Sequence, residues 1–249
     1  MDYRIKNDAW AKIFEFLSSI HGLHTKDETK IRRFIEAIWL IVRGGMQWRL
    51  LPEEYGKWNS IHRRFSRWVK AGIWEQIMTY VTDADLENVM LDSTIVRANA
   101  CAAGLYKNSQ AQEALGRSAG GFSTKIHALV DSLGNPLKFI LTPGQHHDVT
   151  VAENLLINVE NSCVIADKGY ISKSLTNTIA KQGCKAVIPS RCNSLSPNKI
   201  DKHLYKERHL VECFFSKIKY FRRIFSRYDK SAASFLGYLH FVGALIWLR

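Results

Sequence analysis

Residues 89 to 98, VMLDSTIVRA, place an aspartate, Asp92, inside a run of aliphatic and β-branched residues. Such a run, bounded by polar breaks, reads as a β-strand. A carboxylate there is costly to bury unless a donor or a cation faces it. Any fold for this chain must bring Asp92 a partner or leave it on an exposed edge.

The segments that follow narrow the choice. Ala100 to Gly121 is small and polar with several glycines, which reads as an exposed loop. FSTKIHALVD and NPLKFILT flank Ser132-Leu133-Gly134-Asn135-Pro136, a hairpin signal. LTPGQHHD leads into a helix with Asp148 as its expected cap, and the adjacent His146 and His147 read as loop histidines. NSCVIADKGY is a short apolar run ending in Asp167, with Gly169 turning the chain. That is where open α/β sheets place ligands, outside the carboxyl ends of their strands. SKSLTNTIAKQG then reads as a helix closed by Gly183, CKAVIPS as one more strand, and Arg191 to Lys202 as a polar loop containing Pro197.

Residues 205 to 219, YKERHLVECFFSKIK, lack proline and glycine. Their Val211, Phe214, Phe215 and Ile218 fall on one side at about 100° per residue, so the stretch is expected to be one amphipathic helix. Tyr205, Arg208, Glu212 and Lys219 share an arc of roughly 60° beside that face. Taken alone, Arg208 and Glu212 make an ordinary i,i+4 ion pair. The order of strand, two-stranded hairpin, helix, strand, helix, strand, helix is that of a ribonuclease H-like α/β domain with a mixed five-stranded sheet. In that layout Asp92 and Asp167 lie on neighbouring strands and the helix with Glu212 packs over the same sheet.

The first third is all-helical in pattern. Trp10, Ile13, Phe14 and Leu17 mark one helix closed by Gly22; Ile31, Phe34, Ile35, Ile38 and Val42 mark a second, with Thr25 as its cap and Gly44-Gly45 as its end. A third helical region begins near Asn59 or Ser60, with Arg63, Arg64, Arg67 and Lys70 off its apolar stripe. An arginine-loaded helix in a small helical unit resembles a helix-turn-helix variant. The expected division is a small helical domain, 1–82, ahead of an α/β domain, 83–249, whose last segment, SAASFLGYLHFVGALIWLR, is a closing helix packed on the body.

A formal net charge of +12, from 35 Lys and Arg against 23 Asp and Glu, calls for a polyanionic partner, nucleic acid above all. A hydrophobic fraction of 46% is too core-rich for a basic tail. The five scattered cysteines, with no CxxC pair, argue against a disulfide framework or a zinc knuckle. The absence of a long apolar run or a leader-like start points to the cytoplasm. Three carboxylates converging in a basic protein repel one another unless cations lie between them, and hard oxygen donors suit two Mg²⁺ or Mn²⁺ ions in a phosphoryl displacement.

The chain resembles the DDE transposases of bacterial insertion sequences, in the group of families four and five and most like family five. The resemblance rests on Tyr205-x2-Arg208-x3-Glu212-x6-Lys219, on LDSTIVRA and ADKGY, and on RGGMQWRLLPEEYGKWNSIHRRFSRW, GRSAGG, TKIHALVD, LTPGQHHD and FRRIFSRYDK. It departs at Gln47 and Leu50, where Pro and Asp are usual, and at Ala119, where Arg is common. It implies catalytic, metal-binding Asp92, Asp167 and Glu212; phosphate-holding Arg208 and Lys219; and Tyr205 at the DNA. It also implies end binding by the helical domain through Arg63, Arg64, Arg67 and Lys70, a homodimer joining two terminal inverted repeats, and transfer of a 3′ hydroxyl into target DNA. Two alternatives stand beside it: a nuclease or resolvase of the same fold, and an inactive DNA-binding relic.

Overall fold

The computed structural model describes residues 5–23, 25–103, 113–118, 121–190 and 200–249. The expectations for Pro197, Ala119 and most of the loops 100–121 and 191–202 lie outside these residues. Two compact units are formed. One comprises the residues up to Thr82 with Ala98 to Ala103 and Ile218–Arg249; the other comprises Asp83–Arg97 and the described residues from Glu113 to Lys217. The chain returns to the helical unit after Lys217, so the sheet unit is not one continuous stretch from 83 to 249.

The helical unit contains α1 (Asn7–Ser19), α2 (Glu28–Gly44), α3 (Trp58–Lys70), α4 (Ile73–Val81), the short α5 (Ala100–Ala103) and, after the return, α10 (Arg222–Phe225) and α11 (Ala232–Trp247). The expected caps shift. Asp27, not Thr25, caps α2 by accepting from the Lys30 amide, and α3 starts at Trp58 without a side-chain cap. The third helical region breaks at Gly72, whose φ of 68° is the left-handed conformation that ends α3 and starts α4. Helix α11 is buried on nearly all sides, from Phe235 and Tyr238 to Phe241 and Ile246. A helix apolar all round belongs in a core, and α4 packs along it. Phe65 stacks on Tyr238 with ring centroids 4.4 Å apart, and Trp74 meets Phe241 edge-on at 5.3 Å. Gly237 admits this approach, since a Cβ there would lie 2.9 Å from Val69 Cγ2. No helix among the described residues is long and apolar enough to cross a membrane.

The sheet unit is built on β1 (Asn88–Ala98), β2 (Gly116–Ser118), β3 (Gly121–Val130), β4 (Pro136–Pro143), β5 (Cys163–Ala166) and β6 (Lys185–Val187), with α6 (Val149–Leu155), α7 (Lys173–Lys181), α8 (Lys202–Lys206) and α9 (His209–Lys219). Strand order is β4-β3-β1-β5-β6, with β2 pairing the start of β3. β1 runs antiparallel to β3 and parallel to β5, and β5 runs parallel to β6. This is the ribonuclease H-like arrangement. The short β2 and α5 lie in a segment whose composition reads as loop.

Side chains alternate across β1, which sorts the two faces. Val89 and Leu91 join Leu155, Leu175 and Ile179 in the core under α6 and α7. Asp92 therefore points to the other face, opposite Ala128, which in turn pairs with Phe139. On that face Phe139 stacks on Phe214 of α9, centroids 5.9 Å apart. The β3–β4 turn braces the start of α9: Gly134, at φ 77°, lies so close that a Cβ would come 3.1 Å from the Leu210 carbonyl oxygen.

Candidate active site

Asp92 lies on the central strand, its side chain 20% exposed. Its Oδ1 accepts from the Ser93 amide at 2.8 Å and its Oδ2 from Arg208 Nη1 at 2.9 Å. Arg208 Nη2 donates to Glu212 Oε1, so one guanidinium bridges the two carboxylates. Asp167 directly follows β5. Leu91 is in register with Ala166, so Asp92 and Asp167 each come one residue after the last paired rung of the two strands. Burial raises the Asp92 carboxyl above its usual value; the Ser93 amide and Arg208 act against that shift, while Asp167 and Asp148 add to it. For Arg208 burial opposes the charge, but Asp92 and Glu212 outweigh it and raise the guanidinium. This is a place where negative charge accumulates and a cation is favoured.

The predicted single helix over 205–219 is two. α8 ends at Lys206 and α9 starts at His209, with Glu207 and Arg208 in a tight turn where Leu210 N bonds the Glu207 carbonyl and Val211 N the Arg208 carbonyl. The turn is held from outside: Asn88 Nδ2 donates to Glu207 Oε2 at 3.3 Å and Arg208 reaches Asp92. Tyr205, half-buried on α8, adds to the raising of Arg208. Lys219 is at the far end of α9, half-buried, and falls with the helical unit.

In the helical unit, Ser60, His62, Arg63, Ser66, Arg67 and Lys70 line a groove of about 620 Å³ along α3. Arg63, Arg67 and Lys70 are exposed there. Arg64 is not among them. Its guanidinium lies 4.4 Å from the Phe34 ring centroid and 5.2 Å from that of Trp68, and burial pulls its pKa down. It is a packed cation of the helical core.

A family model described as "Transposase DDE domain" matches residues 84–245, and one described as "Putative transposase of IS4/5 family" matches residues 5–78. The chain belongs to the DDE transposases of insertion sequences. A relative from Brucella ovis named "Putative transposase for insertion sequence element IS6501" is 42% identical over 130 residues, covering 51% of this chain and 99% of that protein. "Uncharacterized protein y4sN" of Sinorhizobium fredii is 36% identical over 101 residues, 40% of this chain and 81% of that one. Among solved structures, a piggyBac transposase synaptic complex with hairpin DNA aligns at 13% identity and a TM-score of 0.40, over 76% of this chain. The transposase spans about half of that chain's length, 48%. A Mos1 transposase paired-end complex aligns at 12% identity and 0.29, over 86% of this chain and 95% of that one.

Asp148 is the site residue that sequence reasoning missed. It does not cap α6 with its side chain. Its Oδ1 instead accepts from Ser93 Oγ at 2.7 Å and Lys125 Nζ at 2.9 Å, and lies 3.7 Å from His127 Nδ1. Ser93, Lys125 and His127 share one face of the sheet by register, the face away from Asp92. Tyr170 is buried beside them, its phenol pushed up by burial and then by Asp148 and Asp92. Nothing in the spacing around Asp148 distinguishes a cap from a strap.

No three His, Cys, Asp or Glu side chains among the described residues stand together as a formed metal-ligand set. Glu212 faces Arg208 and not the two aspartates. The donor chemistry nevertheless fits Mg²⁺ or Mn²⁺: Asp92 on β1 and Asp167 just after β5 carry hard oxygen donors, and the Asp92 carboxyl is raised partly by its neighbour's charge.

Proposed function

We propose that the transposase binds the terminal inverted repeats of its element, cuts at their ends, and joins the freed 3′ hydroxyl to target DNA. The observation that supports this most is the Arg208 guanidinium, in the turn before α9, bridging Asp92 on β1 to Glu212 on α9, with Asp167 at the end of the neighbouring strand. Asp92, Asp167 and Glu212 would hold two Mg²⁺ or Mn²⁺ ions. When bound, such ions activate the attacking hydroxyl and stabilise the leaving 3′ oxygen. Arg208 is the residue whose role changes. With a cation beside Asp92, the guanidinium is free to leave the carboxylates and grip a phosphate, for which its planar fork is suited. Tyr205 lines the same approach and Lys219 adds a phosphate contact beyond it.

Arg63, Arg67 and Lys70 would follow the phosphates of the end sequence along α3. Arg64, assigned from sequence to the same role, is better suited to holding the helical core together. Cutting two ends in one event requires two copies, so the working form is a homodimer with DNA, acting in the cytoplasm. Incubating the full chain with a duplex of the gene's flanking repeat, with and without Mg²⁺, tests this reading. Metal-dependent breaks at the repeat boundary are expected. Equal cutting of unrelated or branched DNA would point instead to a general nuclease.

A further inference from the structure

The helical unit contains a second recess, of about 380 Å³, whose walls include Trp48, Trp58, Tyr228, Met46 and Gln47. Its chemistry differs from that of the groove on α3. Trp58, the first residue of α3, is 36% exposed, and Arg49 lies over its ring at 5.8 Å. Trp48 meets the imidazole of His62 edge-on, centroids 4.8 Å apart, and His62 also lines the cationic groove. The Trp48–His62 contact therefore sets the recess beside a row of exposed cations.

Its floor carries no free charge. Arg223 lies beneath Trp48, 5.6 Å from the ring centroid, but is held bidentately by Asp229 at 2.8 and 2.9 Å and donates to the Met46 carbonyl at 3.0 Å. A neutralised floor does not attract an anion into the recess, whereas aromatic walls take a flat π-system and the cationic rim takes an anion attached to it. A nucleobase on its phosphate has this shape and this charge pattern. Aromatic side chains bind unstacked bases by stacking, which is tolerant of sequence, and a base must leave the duplex to reach such a pocket.

We infer that this recess is a base-holding pocket: while α3 follows the phosphates, one nucleotide of the bound end is unstacked and its base inserted between Trp48 and Trp58. The inference rests on the proposed binding of DNA by the helical unit, and the two can fail separately. In the full chain without divalent metal, duplexes of the flanking repeat bearing 5-iodouracil at successive positions are bound, irradiated and mapped by mass spectrometry. Cross-links to Trp48, Trp58 or Tyr228 from one position or two adjacent ones are expected. Trp58→Ala, at a partly exposed site, is expected to weaken binding about 5- to 100-fold with an unchanged melting temperature. The slope of log affinity against log salt should stay the same, because stacking releases no counterions, and Trp58→Phe should restore most of the affinity. Salt-dependent binding with no cross-link to these three residues, or with Trp58→Ala as tight as the parent, overturns the pocket and leaves DNA binding standing. Failure of the parent to bind the duplex at all overturns the reading on which the pocket depends.

Discussion

Two arginines one residue apart illustrate how local context divides a charge run. Arg63 is exposed in the α3 groove, whereas Arg64 is stacked between aromatic rings. Arg63→Ala should weaken DNA binding uniformly across sequences and lower the salt slope by about one. Arg64→Met should leave DNA binding within about twofold and stability equal or higher, because Met keeps the packing on Phe34 and Trp68 while removing a half-buried guanidinium whose Nε and Nη2 have no hydrogen-bond partner among the described residues. Gel-shift titrations at several salt concentrations and a thermal melt distinguish the two. Asp148 anchors Ser93 of β1, the residue next to Asp92, and pairs with Lys125. Asp148→Asn should reduce Mn²⁺ affinity, measured by electron paramagnetic resonance, about tenfold or more, the scale of losing an outer-shell partner. Unchanged affinity would make Asp148 a structural residue only.

At the scale of elements, patterns whose cause is local were legible in the sequence. Asp92 in a strand, the hairpin at Gly134 and Asp167 at a strand end all follow from side-chain period and turn chemistry, and the strands order themselves as those signals imply. The break at Glu207 and Arg208 was not legible, because no glycine or proline marks it and the apolar period continues through it. It arises from tertiary partners, Asn88 and Asp92, lying more than a hundred residues upstream. The orientation of Asp148 was hidden for the same reason, since a cap and a strap look alike in sequence. Helix α11 was legible as apolar, but its partner was not: the period says that it is buried, and only the folded chain says that it packs with α4. Gly237→Val should test that packing. The added methyls meet Val69 and Trp74, and overpacking of this kind costs about 1–3 kcal/mol, seen as a lower midpoint in urea.

Among the described residues each unit buries one histidine whose imidazole burial holds near a pKa of about 4: His127 in the sheet unit, where Asp148 partly offsets the effect, and His240 in α11. Their unfolded-state value is 6.5, so between pH 6.5 and 4 the unfolded chain binds protons that the folded chain does not. Folding stability should fall on acidification through that window, by up to about 3 kcal/mol per histidine. Urea melts from pH 7 to pH 4.5 check this, and His240→Leu should flatten part of the slope. In the sheet unit Asp92, Asp167 and Glu212 are assigned to one cleavage chemistry. Glu212 is half-exposed and contributes little to the core, so Glu212→Gln keeps the fold while removing one charge. End cleavage by this variant in Mg²⁺, set beside its affinity for the same end duplex, is the most direct measurement. Abolished cleavage with intact binding is expected; undiminished cleavage would overturn the assignment of Glu212.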